Sequence, residues 1–259
     1  MAGDAGRVPT DPRISRRRRT VARSRRRRVL LRACVAVALG VCAWAAFFSP
    51  LLEVRSIKVA GGKHVTARAV AGVAALEGDN LLLLSTAEIA EQVKTLPWVR
   101  TARVTRKLPG TVSVRVVERK ASVALSLGAA RWTIDSRGIV LAPGTSRKGL
   151  PLLAGAEVEG VRPGARVRSP EVQSALAAYR SMPPALRRRV VAAFAPTIER
   201  ISFSLTGDVL VRFGAAERLR AKNNVLASIL RRLRSENTTA AYVDVRVPSN
   251  PAVGAPRPR

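Results

Sequence analysis

Residues 96–120 read LPWVRTARVTRKLPGTVSVRVVERK. Val112, Val114 and Val116 alternate with Ser113 and Arg115, the two-residue period of a strand with one buried face. Leu108-Pro109-Gly110 turns the chain into that strand, and Trp98-Val99 opens an earlier one that runs to about Lys107. Pro97 stops a helix whose start is marked by Ser85 with Glu88 three residues on, a spacing at which each side chain caps the other's backbone amide. Ile89, Val93 and Leu96 form its apolar face. Further back, Thr66 opens a helix carrying Val70, Val73 and Ala74, Gly78 to Asn80 breaks it, and Leu81 to Leu84 form an apolar plug. Ile57 and Val59 alternate with Ser56 and Lys58 in a short strand that Gly61-Gly62 ends. The order is strand, helix, helix, strand, strand.

Upstream, residues 33–52 read ACVAVALGVCAWAAFFSPLL, with no charged residue in 20 positions. At about 1.5 Å of rise per residue such a helix is about 30 Å long, the thickness of a bilayer's hydrocarbon core. With the apolar run starting at Val29, a single span over 29–52 is expected. Arg16 to Arg19, Arg25 to Arg28 and Arg32 precede it, and the positive-inside rule puts that flank in the cytoplasm and the rest of the chain outside. A cleaved signal peptide fits less well, because the basic region is long and the apolar run continues through Ala46, Phe47 and Phe48. Residues 1–28 are expected to be a disordered, Arg-rich tail.

The chain of 259 residues carries a formal charge of +29. Twelve arginines and two aspartates fall in residues 1–52, leaving 34 basic and 15 acidic residues beyond. The tail lacks the aromatics or recognition helix of a nucleic-acid binder, so no nucleic acid is expected. Anionic inner-leaflet lipids suit it better, each basic residue near the surface being worth roughly 1 kcal/mol. Cys34 and Cys42 both fall in the apolar run, so the outer region has no disulfide framework.

From Ala121 the pattern changes to short strands and turns. Trp132-Thr133-Ile134 and Ile139-Val140-Leu141 flank a turn at Asp135, Ser136, Arg137 and Gly138. A Pro- and Gly-rich passage covers 143–164. Ser169-Pro170-Glu171 starts a helix with Val172, Leu176 and Tyr179 on one face, Pro183-Pro184 ends it, and 185–194 reads as a short amphipathic helix. Ile201, Phe203 and Leu205 pair through Thr206-Gly207-Asp208 with Val209, Val211 and Phe213 as a hairpin. A helix over 216–234 sets Leu219, Leu226, Ile229, Leu230 and Leu233 against Arg218, Lys222, Arg231 and Arg232. A last strand is expected over 242–247 and a disordered Pro-rich tail over 248–259.

In this order, LPWV before one strand, LPGTVSVRVVERK at the next, then WTIDSRGIV, GDVLVRFG, KNNVLASIL and YVDVRVPSNPAV are similar to the FtsQ/DivIB family of bacterial cell-division proteins, over about residues 30–252. The Arg-rich composition looks actinobacterial. The resemblance implies an α+β fold: a single-pass membrane protein with an extracytoplasmic POTRA domain (53–120) followed by a mixed β domain (121–247). It implies a non-catalytic divisome scaffold in the cell membrane at the septum, recruiting the small bitopic partners FtsB/DivIC and FtsL. The alternative is another membrane-anchored POTRA-containing envelope protein, a transport or wall-linked module.

The residues offer little for catalysis. His64 is the single histidine, which excludes a two-His metal site, and Ser-His-acid chemistry would rest on one loop residue. Glu77 with Asp79, and Glu157 with Glu159, sit in Gly-bounded loops as hydrated turns. Asp135 falls where a turn needs a short acceptor. No cofactor or metal site is expected. Partner binding is expected on Tyr242, Val243, Asp244, Val245, Arg246 and Val247. Val243, Val245 and Val247 would face the core, with Tyr242 and Arg246 giving specificity. With no later strand to pair with, that strand's edge would be open to strand addition, where the resemblance places the FtsB/DivIC partner. Leu96, Pro97 and Trp98 form a second candidate docking surface.

Overall fold

The computed structural model describes residues 29–41, 44, 52–75, 78–145 and 149–255. The expected tail over 1–28 lies outside these residues, as do 42, 43 and 45–51 of the expected span. Residues 29–41 form helix α1. Among the described residues no helix is long and apolar enough to cross a membrane.

The strands make two sheets. The first has the order β1-β3-β2, from β1 (Ser56–Ala60), β2 (Val99–Lys107) and β3 (Thr111–Glu118), with α2 (Ala67–Ala74) and α3 (Thr86–Lys94) between β1 and β2 in the chain. The chain order, strand, helix, helix, strand, strand, is the one expected from sequence. Val112, Val114 and Val116 are buried and Arg115 is exposed, so the alternation read correctly. The Ser85 hydroxyl accepts the Glu88 amide at 3.3 Å, and the Thr66 hydroxyl accepts the Ala69 amide at 3.1 Å, each satisfying a donor the first helical turn leaves free.

The chain divides into two units, residues 1–56, 76–84 and 106–112, and residues 57–75, 85–105 and 113–259. In the first, an isolated bridge joins Glu53 to Asn80, and the Arg55 amide donates to the Gly110 carbonyl at 2.8 Å. Of the expected apolar plug, Leu81 is fully buried while Leu83 is exposed.

The second unit holds a nine-stranded sheet in the order β12-β11-β10-β9-β8-β7-β4-β5-β6. Its strands are β4 (Ala121–Leu127), β5 (Ala130–Asp135), β6 (Val140–Pro143), β7 (Leu152–Ala154), β8 (Val190–Phe194), β9 (Ser202–Leu205), β10 (Val209–Arg212), β11 (Tyr242–Asp244) and β12 (Ala252–Gly254). Between these strands in the chain come helices α4 (Pro170–Ser181) and α5 (Pro184–Arg187), after β7, and α6 (Leu219–Ser235), after β10. Phe203 and Phe213 meet edge to face at 5.6 Å in one core with Leu176, Leu226, Val243 and Val245.

Two expectations fail here, and a passage with no element assigned from sequence holds a strand. Residues 185–194 are helical only through Arg187, and Val190–Phe194 is a strand paired with β7 and β9. The Pro- and Gly-rich passage contains β7, which bridges β4 and β8 in parallel. Residues 248–259, expected to be without structure, include β12, which pairs antiparallel with β11.

Candidate partner-binding edge

Tyr242–Asp244 lies parallel to β10, with Leu210, Val211 and Arg212 opposite Tyr242, Val243 and Asp244. Its other side is not free. Tyr242, Val243 and Asp244 stand opposite Gly254, Val253 and Ala252, so the end strand is β12 and the expectation that 242–247 has no later strand to pair with is corrected. Proline-rich flanks hid β12, since Pro251 and Pro256 make the segment read as tail.

The alternation holds for Val243 and Val245, both fully buried, and ends there. Val247 is 54% exposed, because the chain leaves the sheet after Asp244 and turns, the Asn250 amide donating to the Val247 carbonyl at 3.0 Å. The Val245 amide donates inward to the Arg212 carbonyl at 3.0 Å. Proline at 245 therefore breaks an internal bond and does not report on an outward donor.

Arg246 is engaged within the chain. Its Nε lies 3.1 and 3.0 Å from the two Asp244 carboxylate oxygens, its Nη2 donates to Oδ2 at 2.7 Å, and its amide donates to Oδ1 at 3.0 Å. Burial works to raise the Asp244 carboxyl, but hydrogen bonds from Arg246 and the charges of Arg246 and Arg212 outweigh it and hold the group below the usual aspartate value. Sequence reasoning sets Asp244 and Arg246 on one polar face of a strand over 242–247, whereas the strand ends at Asp244 and the pair closes across the turn that follows. The Arg246 stem passes Gly214, at φ +71°, where an added β-carbon would come within 2.9 Å of Arg246 Cγ. Arg212 sits over the Tyr242 ring, 4.4 Å from its centroid. Tyr242 and Arg246 thus form an edge-side cluster with Arg212 and Asp244, neither of which sequence reasoning had joined to them as partners.

Lys222 was assigned to the polar face of its helix, yet it is 3% exposed. Its Nζ donates to the carbonyls of Phe213 and Ala215 at 2.9 and 2.8 Å, tying down the chain between β10 and α6. Burial holds its pKa below the usual lysine value. The neighbouring Asn223 donates to the Ser181 hydroxyl at 2.8 Å, linking α6 to α4.

Leu96, Pro97 and Trp98 are all half-buried. The Trp98 ring stacks on His64 at 3.8 Å, and a β-carbon at Gly164 would lie 3.8 Å from Pro97 Cγ, so the chain itself covers part of this surface. His64 Nδ1 lies 3.1 Å from Glu118 Oε2. Asp135 acts as the turn acceptor expected of it, taking the Arg137 and Ile139 amides at 2.8 and 2.9 Å, and it also pairs with Arg119 at 3.1 Å. Glu77 lies outside the described residues. Among the described residues no group of three or more His, Cys, Asp or Glu side chains is placed to hold a metal ion.

Residues 52–119 match the POTRA domain of FtsQ type, and residues 128–246 match the C-terminal domain of the cell division protein FtsQ/DivIB. The chain is 30% identical over 197 residues to cell division protein FtsQ of Mycolicibacterium smegmatis, covering 76% of this chain and 56% of that protein. It is 31% identical over 203 residues to that of Mycobacteroides abscessus, covering 78% and 62%. With that of Corynebacterium glutamicum the identity is 27% over 195 residues, covering 75% and 84%. The chain thus spans about three fifths of the length of the first two relatives. Two adjacent family matches in the family's own order, on a sheet pair of the expected kind, place this chain in the FtsQ/DivIB family of cell-division proteins.

Proposed function

We propose that the chain is a non-catalytic scaffold of the division machinery, anchored by a span over 29–52 with residues 1–28 in the cytoplasm, against anionic inner-leaflet lipids, and the remainder outside at the septum. It recruits the small bitopic partners FtsB/DivIC and FtsL, the former by strand addition. The observation that carries this reading is that the nine-stranded sheet ends on a strand of three residues, Ala252–Gly254, with Ala252 and Val253 exposed. An unpaired edge is a template for another backbone, and side chains beside it set which backbone fits. Tyr242, Asp244, Arg246 and Val247 flank that edge, and the Arg246 side chain is 60% exposed, leaving it room to meet an acidic partner residue.

Along a strand, successive amides point to opposite sides. One of Ala252→Pro and Val253→Pro therefore removes an outward donor while the other weakens β12 itself. Both are expected to abolish binding of the FtsB/DivIC partner to the full chain, with the rest of the sheet folded. Unchanged binding by both sinks strand addition. A fluorescent fusion is expected to form septal rings, and a uniform envelope signal counts against the scaffold.

A further inference from the structure

The second unit contains a cleft of about 950 Å³ lined by Lys63, Arg119, Lys120, Arg187 and Arg188, with Trp98 in its wall. Among the described residues no carboxylate lines it. The two carboxylates nearest to Arg119 in the chain are already committed. Glu118 accepts the His64 amide at 2.6 Å and faces the His64 ring, and Asp135 holds Arg119 together with two turn amides. Four cations of the cleft are thus left without a carboxylate in its wall, and like charges gathered in one concavity focus a positive field into it. Arg119 is pinned by Asp135, and its Nε is buried with no hydrogen-bond partner. A guanidinium held in place in this way loses little freedom when it takes up an oxyanion. Trp98, stacked on His64 at an interplanar angle of 7°, adds a flat apolar wall beside the charges.

We propose that this cleft is a binding site for a phosphate-bearing polyanion. Its volume exceeds what one phosphate fills, and its cations come from separate segments of the chain, around residues 63, 119 and 187, which suits several anionic groups in a row. The proposal stands apart from strand addition, since no residue of β11 or β12 lines the cleft.

The test uses the full chain in neutral detergent, with short-chain inorganic polyphosphate as the probe. The variant Lys63→Gln/Lys120→Gln/Arg188→Gln changes three exposed residues of the cleft. The control Arg100→Gln/Arg103→Gln/Arg115→Gln removes the same charge from exposed positions on β2 and β3. Saturable binding to the wild type is expected, weakening with salt, with a Kd raised roughly tenfold by the cleft variant and little changed by the control. Equal losses in both variants, or no saturable binding, overturn the proposal by reducing it to net charge. Phosphatidylglycerol vesicles and polyglutamate serve as parallel probes. Cleft-dependent binding of vesicles alongside polyphosphate identifies a lipid headgroup as a source of the same phosphate chemistry. Cleft-dependent binding of polyglutamate alone overturns the proposal in favour of an acidic protein segment.

Discussion

The two ends of the nine-stranded sheet are finished differently. At the β6 end the chain returns to cover its own edge. The Val140 amide donates to the Ala165 carbonyl at 2.9 Å, the Gly164 amide to the Val140 carbonyl at 2.8 Å, and Ile139 bridges to Arg166. Val140 and Leu141 are buried there. At the β12 end the last strand is three residues long, two of them exposed, and the ladder goes no further among the described residues. The sheet thus closes one edge with a segment of its own chain and leaves the other short and bare, and the bare edge is the one that the proposed strand addition uses.

The largest expected effect breaks the covered end. Asp135→Ala removes the acceptor of two turn amides and leaves Arg119 unpaired, and is expected to cost about 3 to 5 kcal/mol in urea unfolding of the full chain. Asp135→Asn keeps the shape and should cost less. Next is Val245→Pro, which removes the amide that donates to Arg212 and strains a buried position, at about 2 to 3 kcal/mol. A loss as large as that of Asp135→Ala would mean that the two ends are equally built into the core.

A chain ending at Asn250 removes β12 and uncovers β11, costing about 1 to 2 kcal/mol of cross-strand pairing. Loss of partner capture is expected with it. Undiminished capture would make β11 the receiving strand and β12 its plug. The smallest effect is on the acid side. Asp244 has a folded pKa below its ordinary 3.8, so its contribution to stability is fully present above that value and is lost as pH falls through the lower, folded one. Asp244→Asn should flatten the unfolding midpoint over that acid window, and an unchanged slope would show that the Asp244–Arg246 pair does not stabilise the edge.

What the sequence made legible follows from side-chain period. The hairpin of β9 and β10 carries Phe203, Leu205, Val209 and Val211 on one face and was readable throughout. Asp135 was readable because a turn that needs two amides accepted selects a short carboxylate. β7 was not, since three residues of a parallel strand between Pro151 and Gly155 have no period to show. Val190–Phe194 follows ALRRR, whose spacing suits a helix, and only its neighbours in the sheet make it a strand. Lys222 was misread for a related reason. A helical wheel groups it with arginines, whereas the carbonyls of Phe213 and Ala215, which draw its ammonium inward, come from a loop whose path the sequence does not reveal. The candidate site suffered most at Ala252–Gly254, where small side chains and prolines carry almost no signal for a strand.

Gly254 sits opposite Tyr242 and is buried, and a β-carbon there would collide with the tyrosine ring that lies under Arg212. The contact involves the sheet's last strand and the Tyr242 ring of the one beside it, and neither Tyr242 nor Gly254 belongs to the core cluster of Phe203 and Phe213. In genetic terms, position 254 is where the proposed strand addition predicts a separation-of-function allele: one methyl group there displaces β12 or the Tyr242 ring and is expected to disable the edge in a protein that still folds.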